Sequence, residues 1–251
     1  MSPRERAGAG LAVIRAVTFD LWDTLVSEQK GAERGLQVDA WLEVLGGGGI
    51  EVSREELAQA FNENWVLFEE HWHANDRQWT PQDSTTHICD VLGVRGDELH
   101  DQLVDTFRRV GEATPLVMAE GAVDTLGALK RAGVGLGIVC DVGLTGAATL
   151  RDRLEWFGAL EFFDAWAFSD ETGWFKPAHQ AFAPALEGLG IEDPSQAAHV
   201  GDSKRTDIAG ALALGMTAIR FTGFHDRADG EGPEAPIVLS RFQDIPAALS
   251  I

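Results

Sequence analysis

Four short clusters of side chains, far apart along a chain of 251 residues, carry groups that could do chemistry together. The first, Phe19-Asp20-Leu21-Trp22-Asp23-Thr24-Leu25, holds two carboxylates three residues apart. The second is Cys140-Asp141 and the third Lys176-Pro177, whose lysine is one of only four. The fourth, Val200-Gly201-Asp202-Ser203-Lys204-Arg205-Thr206-Asp207, adds two more carboxylates. Several acids and one lysine brought to one place cannot all stay charged without a counter-ion. Hard oxygen ligands in small number suit Mg2+, which keeps several waters and is usually completed by substrate phosphate. A metal between a carboxylate nucleophile and a phosphoryl group also removes the repulsion that blocks their approach.

Each cluster lies where a strand or loop is expected to give way to a helix, and in open α/β sheets functional groups gather at the carboxyl ends of the strands. Ile14–Asp20 reads as a buried strand, followed much later by Val134–Cys140, a weaker Ala165–Ser169, Ala197–Gly201 and Met216–Phe221. Helices are expected at Glu120–Ala132, stopped by Gly133, at Ala147–Phe157, from Pro177 to about Leu189, and at Thr206–Leu214. Strands alternating with helices of this length predict a parallel, doubly wound sheet.

Between Gln29 and about Pro115 the texture changes. Helices are expected near Gly35–Leu45, Ser53–Ala74, Thr80–Leu92 and Asp97–Val110. Ser53 with Glu56 forms a capping box, and Thr80-Pro81 is an N-cap followed by proline at the first helical position. Leu57, Phe61, Trp65, Phe68 and Trp72 recur every three or four residues and give one apolar stripe. This insert reads as a second, all-helical domain, 29–115, set into a core made of 11–28 and 116–251. Gly46–Gly49 reads as a loop and Asp226–Pro236 as unstructured.

Twenty basic residues face 40 acidic ones, a formal charge of −20. That field repels phosphate backbones and anionic lipid, so neither nucleic acid nor membrane is expected as a partner. A metal becomes more necessary for an anionic substrate. Two cysteines, Cys89 and Cys140, make no disulfide framework and no metal spacing, and free thiols fit a reducing compartment. The polar N-terminus resembles neither a signal nor a transit peptide, and no apolar run reaches membrane-spanning length. The expected location is the cytoplasm.

Taken in order, the four clusters resemble the haloacid dehalogenase-like superfamily, whose members carry an Asp-x-Asp-x-Thr motif, a Ser/Thr, a Lys and a Gly-Asp…Asp. The resemblance implies a Rossmann-like core with an inserted helical cap of the C1 type, and an Mg2+-dependent phosphatase acting on a small phosphorylated metabolite. It implies that Asp20 is nucleophile and metal ligand, forming an aspartyl-phosphate. Asp23 becomes general acid and then base, with its backbone carbonyl on the metal. Lys176 neutralises the phosphoryl charge, Asp202 ligates Mg2+, and Asp207 ligates through a water or holds the loop. Cys140 stands where the family has Ser/Thr; a thiol is a weaker donor, so phosphate binding shifts to the backbone of Cys140-Asp141-Val142 or to Thr145.

Blander readings stand beside these. Asp20 alone reads as a cap, Asp207 as a helix cap and Cys140 as a small core residue. His71-x-His73 lacks a third ligand and reads as a helix face, Trp65, Trp72 and Trp79 as insert core with one member reaching substrate, and Lys204-Arg205 as exposed. The rival functions are a 2-haloacid dehalogenase, a phosphomutase, and a non-enzymatic phospho-accepting or protein-binding scaffold. A homodimer is left open.

Overall fold

All four residues of β1 (Ala16–Phe19) are buried, as a strand covered on both faces must be. The computed structural model of the chain describes residues 13–28, 31–74, 78–226 and 230–251. Outside them lie the segment before residue 13, Gln29, where the second domain is expected to begin, and part of the Asp226–Pro236 stretch.

β1 sits in the middle of a six-stranded parallel sheet with β4 (Gly135–Cys140) on one side and β6 (Ala197–Gly201) on the other. β5 (Ala165–Phe168) extends the sheet beyond β4, and β7 (Thr217–Phe221) and β8 (Ile237–Leu239) extend it beyond β6. The register pairs Phe19 with both Ile138 and Val200, so the three central strands end within two residues of one another.

Helices α5 (Ala122–Arg131) and α6 (Ala147–Trp156) cover one face, packing Leu126, Leu129, Leu150 and Leu154 with Val17, Phe19, Leu136 and Ile138. The one-turn α7 (Ser169–Thr172) follows β5. Helices α8 (His179–Gly188) and α9 (Ala209–Leu214) cover the other face, where Phe182, Ala185 and Ala211 meet Ala16, Val139 and Ala197. A short α10 (Ile245–Ala248) closes the chain. This is the α/β class read from the sequence. The helix expected to open on Pro177 starts two residues later, at His179, and the Lys176–Pro177 peptide is cis. The helix expected from Thr206 starts as a π-helical turn, Lys204–Ile208.

Beyond β1 the chain turns tightly through residues 21–25, with Leu25 and Val26 N–H groups both donating to the Leu21 carbonyl. β2 (Val26–Glu28) then pairs antiparallel with β3 (Leu116–Met118), and this two-stranded ribbon carries the helices between them. They are α1 (Ala32–Gly47), α2 (Arg54–Ala74), α3 (Pro81–Leu92) and α4 (Asp97–Ala113). Both anticipated N-terminal caps are formed: Ser53 with Glu56, and Thr80 with Asp83. The insert has an apolar cluster of its own around Trp41, Leu57, Phe61, Ile88 and Phe107.

Gly46 and Gly47, expected in a loop, complete α1. Asp226 and Glu234, from the stretch expected to lack structure, both pair with Arg220, at 2.9 and 2.7 Å. Among the described residues no helix is long and apolar enough to cross a membrane.

Candidate active site

Because β4, β1 and β6 are neighbours and end within two residues of one another, the residues just beyond them meet at one edge of the sheet: Asp141, Asp20 and Asp202. The Asp20 N–H donates to Val200 O at 2.8 Å, which extends the ladder one residue and fixes where its side chain leaves the sheet. Asp207 reaches the same place from the π-helical turn. Its Oδ2 accepts from the Ser203 N–H at 3.0 Å, while the Ser203 side chain accepts from the Thr206 N–H, so the turn is held from inside and from its cap. Oxygens of Asp20, Asp202 and Asp207 lie within 4.8 Å of one another, and all three residues are buried.

Lys176 is the counter-charge. Its Nζ donates to Asp20 Oδ1 and Asp207 Oδ1 at 2.6 Å each and to Val139 O at 3.1 Å, with the residue only 2% exposed. Behind Asp207, His199 Nε2–H donates to Oδ1 at 3.1 Å, and the Thr18 hydroxyl donates to His199 Nδ1 at 2.8 Å. Burial drives the His199 pKa down and keeps the ring neutral. Burial also works to raise Asp207, but the Lys176 ammonium and the His199 N–H outweigh it and hold its carboxyl well below the usual range. Asp20 goes the other way. Burial pushes its pKa well up, and the neighbouring Asp207 and Asp202 add to the push against Lys176.

Were all three carboxylates ionised, the one ammonium would leave a double negative charge in a buried place. That donor set, hard and anionic, fits a divalent cation bound by oxygen. The same cation would draw Asp20 down into the ionised form that attack on an electrophile requires.

Above the cluster lies a cavity of about 690 Å3 between the sheet edge and the inserted helices. Asp20, Asp23, Asp141 and Lys176 form its floor; Glu33, Gln37, Phe61, Phe68, Trp72 and Phe107 are part of its helical wall. Trp72 of α2 donates Nε1–H to Asp141 Oδ2 at 2.9 Å, while Asp141 Oδ1 accepts the Lys176 backbone N–H at 3.0 Å. Arg205 stacks 4.0 Å over the Trp72 ring and donates to its carbonyl.

Asp20, Lys176, Asp202 and Asp207 therefore converge. Asp23 does not join them. The first cluster departs by one residue from Asp-x-Asp-x-Thr spacing, because Trp22, not a carboxylate, stands two residues after Asp20. Asp23 instead occupies a left-handed turn position (φ 55°), which Asp tolerates better than most residues. Its Oδ1 accepts from Ser27 Oγ at 2.7 Å and lies 3.7 Å from His225 Nε2, on the side of Glu28.

Cys140 packs in the apolar cluster beneath the sheet edge, where burial pushes its thiol pKa well up. The cavity wall begins with Asp141, and the Thr145 hydroxyl is turned to Glu33 Oε1 at 3.0 Å. Arg205 and Lys204, expected at the surface, are half-buried. His71 stacks on Trp79 at 4.7 Å and His73 donates to Glu69 O, as a helix face would have it. His199, Gln37 and Glu33 escaped sequence reading. His199 sits inside a strand of apolar neighbours, and Gln37 and Glu33 lie on a helix of low amphipathicity; only the fold gives them partners.

A family model for haloacid dehalogenase-like hydrolases matches residues 14–215. Glyceraldehyde 3-phosphate phosphatase of Methanothermobacter thermautotrophicus is 30% identical over 207 residues, 82% of this chain and 85% of that protein. Among solved structures, a HAD phosphatase from Thermococcus onnurineus superimposes with a TM-score of 0.66 at 22% identity, covering 94% of this chain and 98% of that one. A 2-haloacid dehalogenase from Pseudomonas syringae gives the same TM-score and identity, covering 95% and 99%. At that level of identity these structures share a fold with the chain, and the fold alone does not separate carbon–halogen from phosphate-ester hydrolysis.

Proposed function

The chain belongs to the haloacid dehalogenase-like hydrolases, and from that premise we propose that it is a Mg2+-dependent phosphatase acting on a small phosphorylated metabolite. The observation that carries this reading is the buried cluster of Asp20, Asp202 and Asp207 around Lys176, three carboxyl groups to one ammonium, at the floor of a cavity of metabolite size. The three carboxylates would hold Mg2+, which when bound neutralises phosphoryl charge and favours the ionised form of Asp20.

In this reading Asp20 attacks phosphorus, the ester oxygen leaves with a proton, and an aspartyl-phosphate remains. Water then attacks that phosphorus, loses its proton to a base, and frees Asp20 and phosphate. Lys176 holds one Asp20 oxygen and sets the direction of the other. Asp141 positions the Lys176 backbone. We assign the proton shuttle to Asp23, whose residue lines the same cavity as Asp20. Residues 29–115 act as the cap that excludes water, and the core is 11–28 with 116–251.

Trp22 favours a second reading. An indole two residues after the nucleophile supplies no acid, and a halide leaving group needs none, so a dehalogenase acting on a 2-haloacid is the competitor. A screen of phosphate monoesters and 2-haloacids with Mg2+ or EDTA, run beside Asp20→Asn, separates them. Phosphate release that needs the metal and is lost in Asp20→Asn is the expected result. Halide release in EDTA would replace the phosphatase reading, and sugar-phosphate interconversion without net release would make the protein a mutase.

A further inference from the structure

Gln37 lies on α1, 4% exposed, on the wall of the cavity. Its amide orientation is determined by its neighbour. The Thr106 hydroxyl of α4 donates its single proton to Leu103 O at 2.5 Å, so toward Gln37 it can only accept. Gln37 must therefore turn Nε2 to Thr106 Oγ1, with which it makes a short hydrogen bond. That leaves Oε1 as a buried acceptor with no partner among the described residues. A buried acceptor left unsatisfied is costly, and native proteins rarely keep one without use.

One helical turn earlier on the same face stands Glu33, also on the cavity wall. Thr145 donates to its Oε1 at 3.0 Å, and Gly111 of α4 lets Thr145 come that close: a Cβ there would lie 2.8 Å from Thr145 Cγ2. Glu33 and Gln37 thus stand side by side on the cavity wall, each braced by a threonine. Phe61, Phe68 and Phe107 give this wall an apolar stretch, with Arg34, Asn64 and Glu69 also on it.

We propose that Glu33 and Gln37 form a subsite that recognises an N–H or O–H donor on the leaving group, so that the preferred substrate is a phosphate monoester bearing a hydroxyl or amino group. The proposal rests on the phosphatase reading for the reaction, though not for the binding.

The test compares n-alkyl phosphates of graded length with their ω-hydroxy and ω-amino counterparts. At the best length the donor-bearing ester is expected to exceed its plain partner in kcat/KM by about tenfold to a hundredfold, mainly through KM. In Gln37→Met, which keeps the length and removes the acceptor, that ratio falls toward one. Should Gln37→Met not fold, Glu33→Gln carries the test, with a selective loss of any preference for the amine over the hydroxyl. Equal kcat/KM for plain and donor-bearing esters in the wild-type protein would overturn the proposal and leave the phosphatase standing. If no ester is turned over, binding to Asp20→Asn decides: tighter binding of the donor-bearing esters supports the subsite while the phosphatase reading falls, and equal binding overturns both.

Discussion

Trp72 donates its indole N–H to Asp141 at 2.9 Å across 69 residues of sequence, joining the end of α2 to the end of β4. The other Asp141 oxygen accepts the backbone N–H of Lys176. One carboxylate thus ties the inserted helices to the segment that presents the cluster's only ammonium. Burial raises the Asp141 pKa, and these donors oppose the rise.

Replacing Trp72 by Phe keeps the ring under Arg205 and deletes the N–H. A buried carboxylate left short of a donor is expected to cost about 1–3 kcal/mol in urea unfolding. The loss should concentrate where α2 meets the core, so amide hydrogen exchange at residues 65–74 is expected to accelerate more than in β1 or β6. Uniform acceleration, or none, would show that the bond does not hold α2 down.

Asp23→Asn separates a proton donor from a turn residue. Both side chains tolerate the left-handed position and can accept from Ser27, so the fold should survive. If Asp23 protonates the leaving oxygen, kcat for an alkyl phosphate falls by about 10²–10⁴-fold, while an ester with an acidic phenol as leaving group loses far less. An equal loss for both esters would remove Asp23 from that role and turn attention to the consequence of Trp22.

The core was readable because its strands are continuous apolar runs and its helices repeat at 3.6 residues; β1, β4 and β6 fall within two residues of the expected bounds. β2, β3 and β8 are three residues each, too short for any period to show. Asp20, Lys176, Asp202 and Asp207 were legible from residue type and order. The orientation of Asp23 was not, since a carboxylate in a sequence does not announce a φ of 55°. Trp72, Arg205, His199 and Gln37 acquire their roles from partners 69 to 133 residues away or from burial, and no local pattern encodes those.

Gly201→Ala tests the packing under Asp207. A Cβ at position 201 would lie 2.2 Å from Asp207 Cγ, so the carboxylate has to move off Lys176 and His199. Overpacking of this kind is expected to lower stability by about 1–3 kcal/mol. If Asp207 helps to hold the metal, Mg2+ affinity should fall about tenfold or more, read by calorimetric titration. Unchanged affinity with lowered stability would make Asp207 a structural partner of Lys176 alone.

Cys140→Ser places a hydroxyl in the apolar cluster of Leu136, Ile138 and Phe168. The expected cost is about 1–3 kcal/mol of stability. Because the side chain lies beneath the cavity and not on its wall, kcat should be retained or raised. Loss of turnover at full stability would show that the thiol itself takes part in the reaction.

The opposite displacements of Asp20 and Asp207 fix how metal binding depends on pH. Asp207 is held low by Lys176, so its stabilising contribution is present above the ordinary carboxylate range and is lost only as strong acid reaches its folded pKa. Asp20 is raised by burial, so the metal-free fold prefers it protonated, and stability declines as pH rises from the ordinary carboxylate range through the raised value. Mg2+ requires the anion and must expel that proton. Below the Asp20 pKa, apparent Mg2+ affinity should therefore climb by about tenfold per pH unit, then level off above it. Titration in buffers of different ionisation enthalpy should find close to one proton released per ion in the rising limb. The decline of stability with pH should vanish when Mg2+ is saturating. Affinity that stays flat with pH, with no proton released, would mean that the ion does not bind through Asp20.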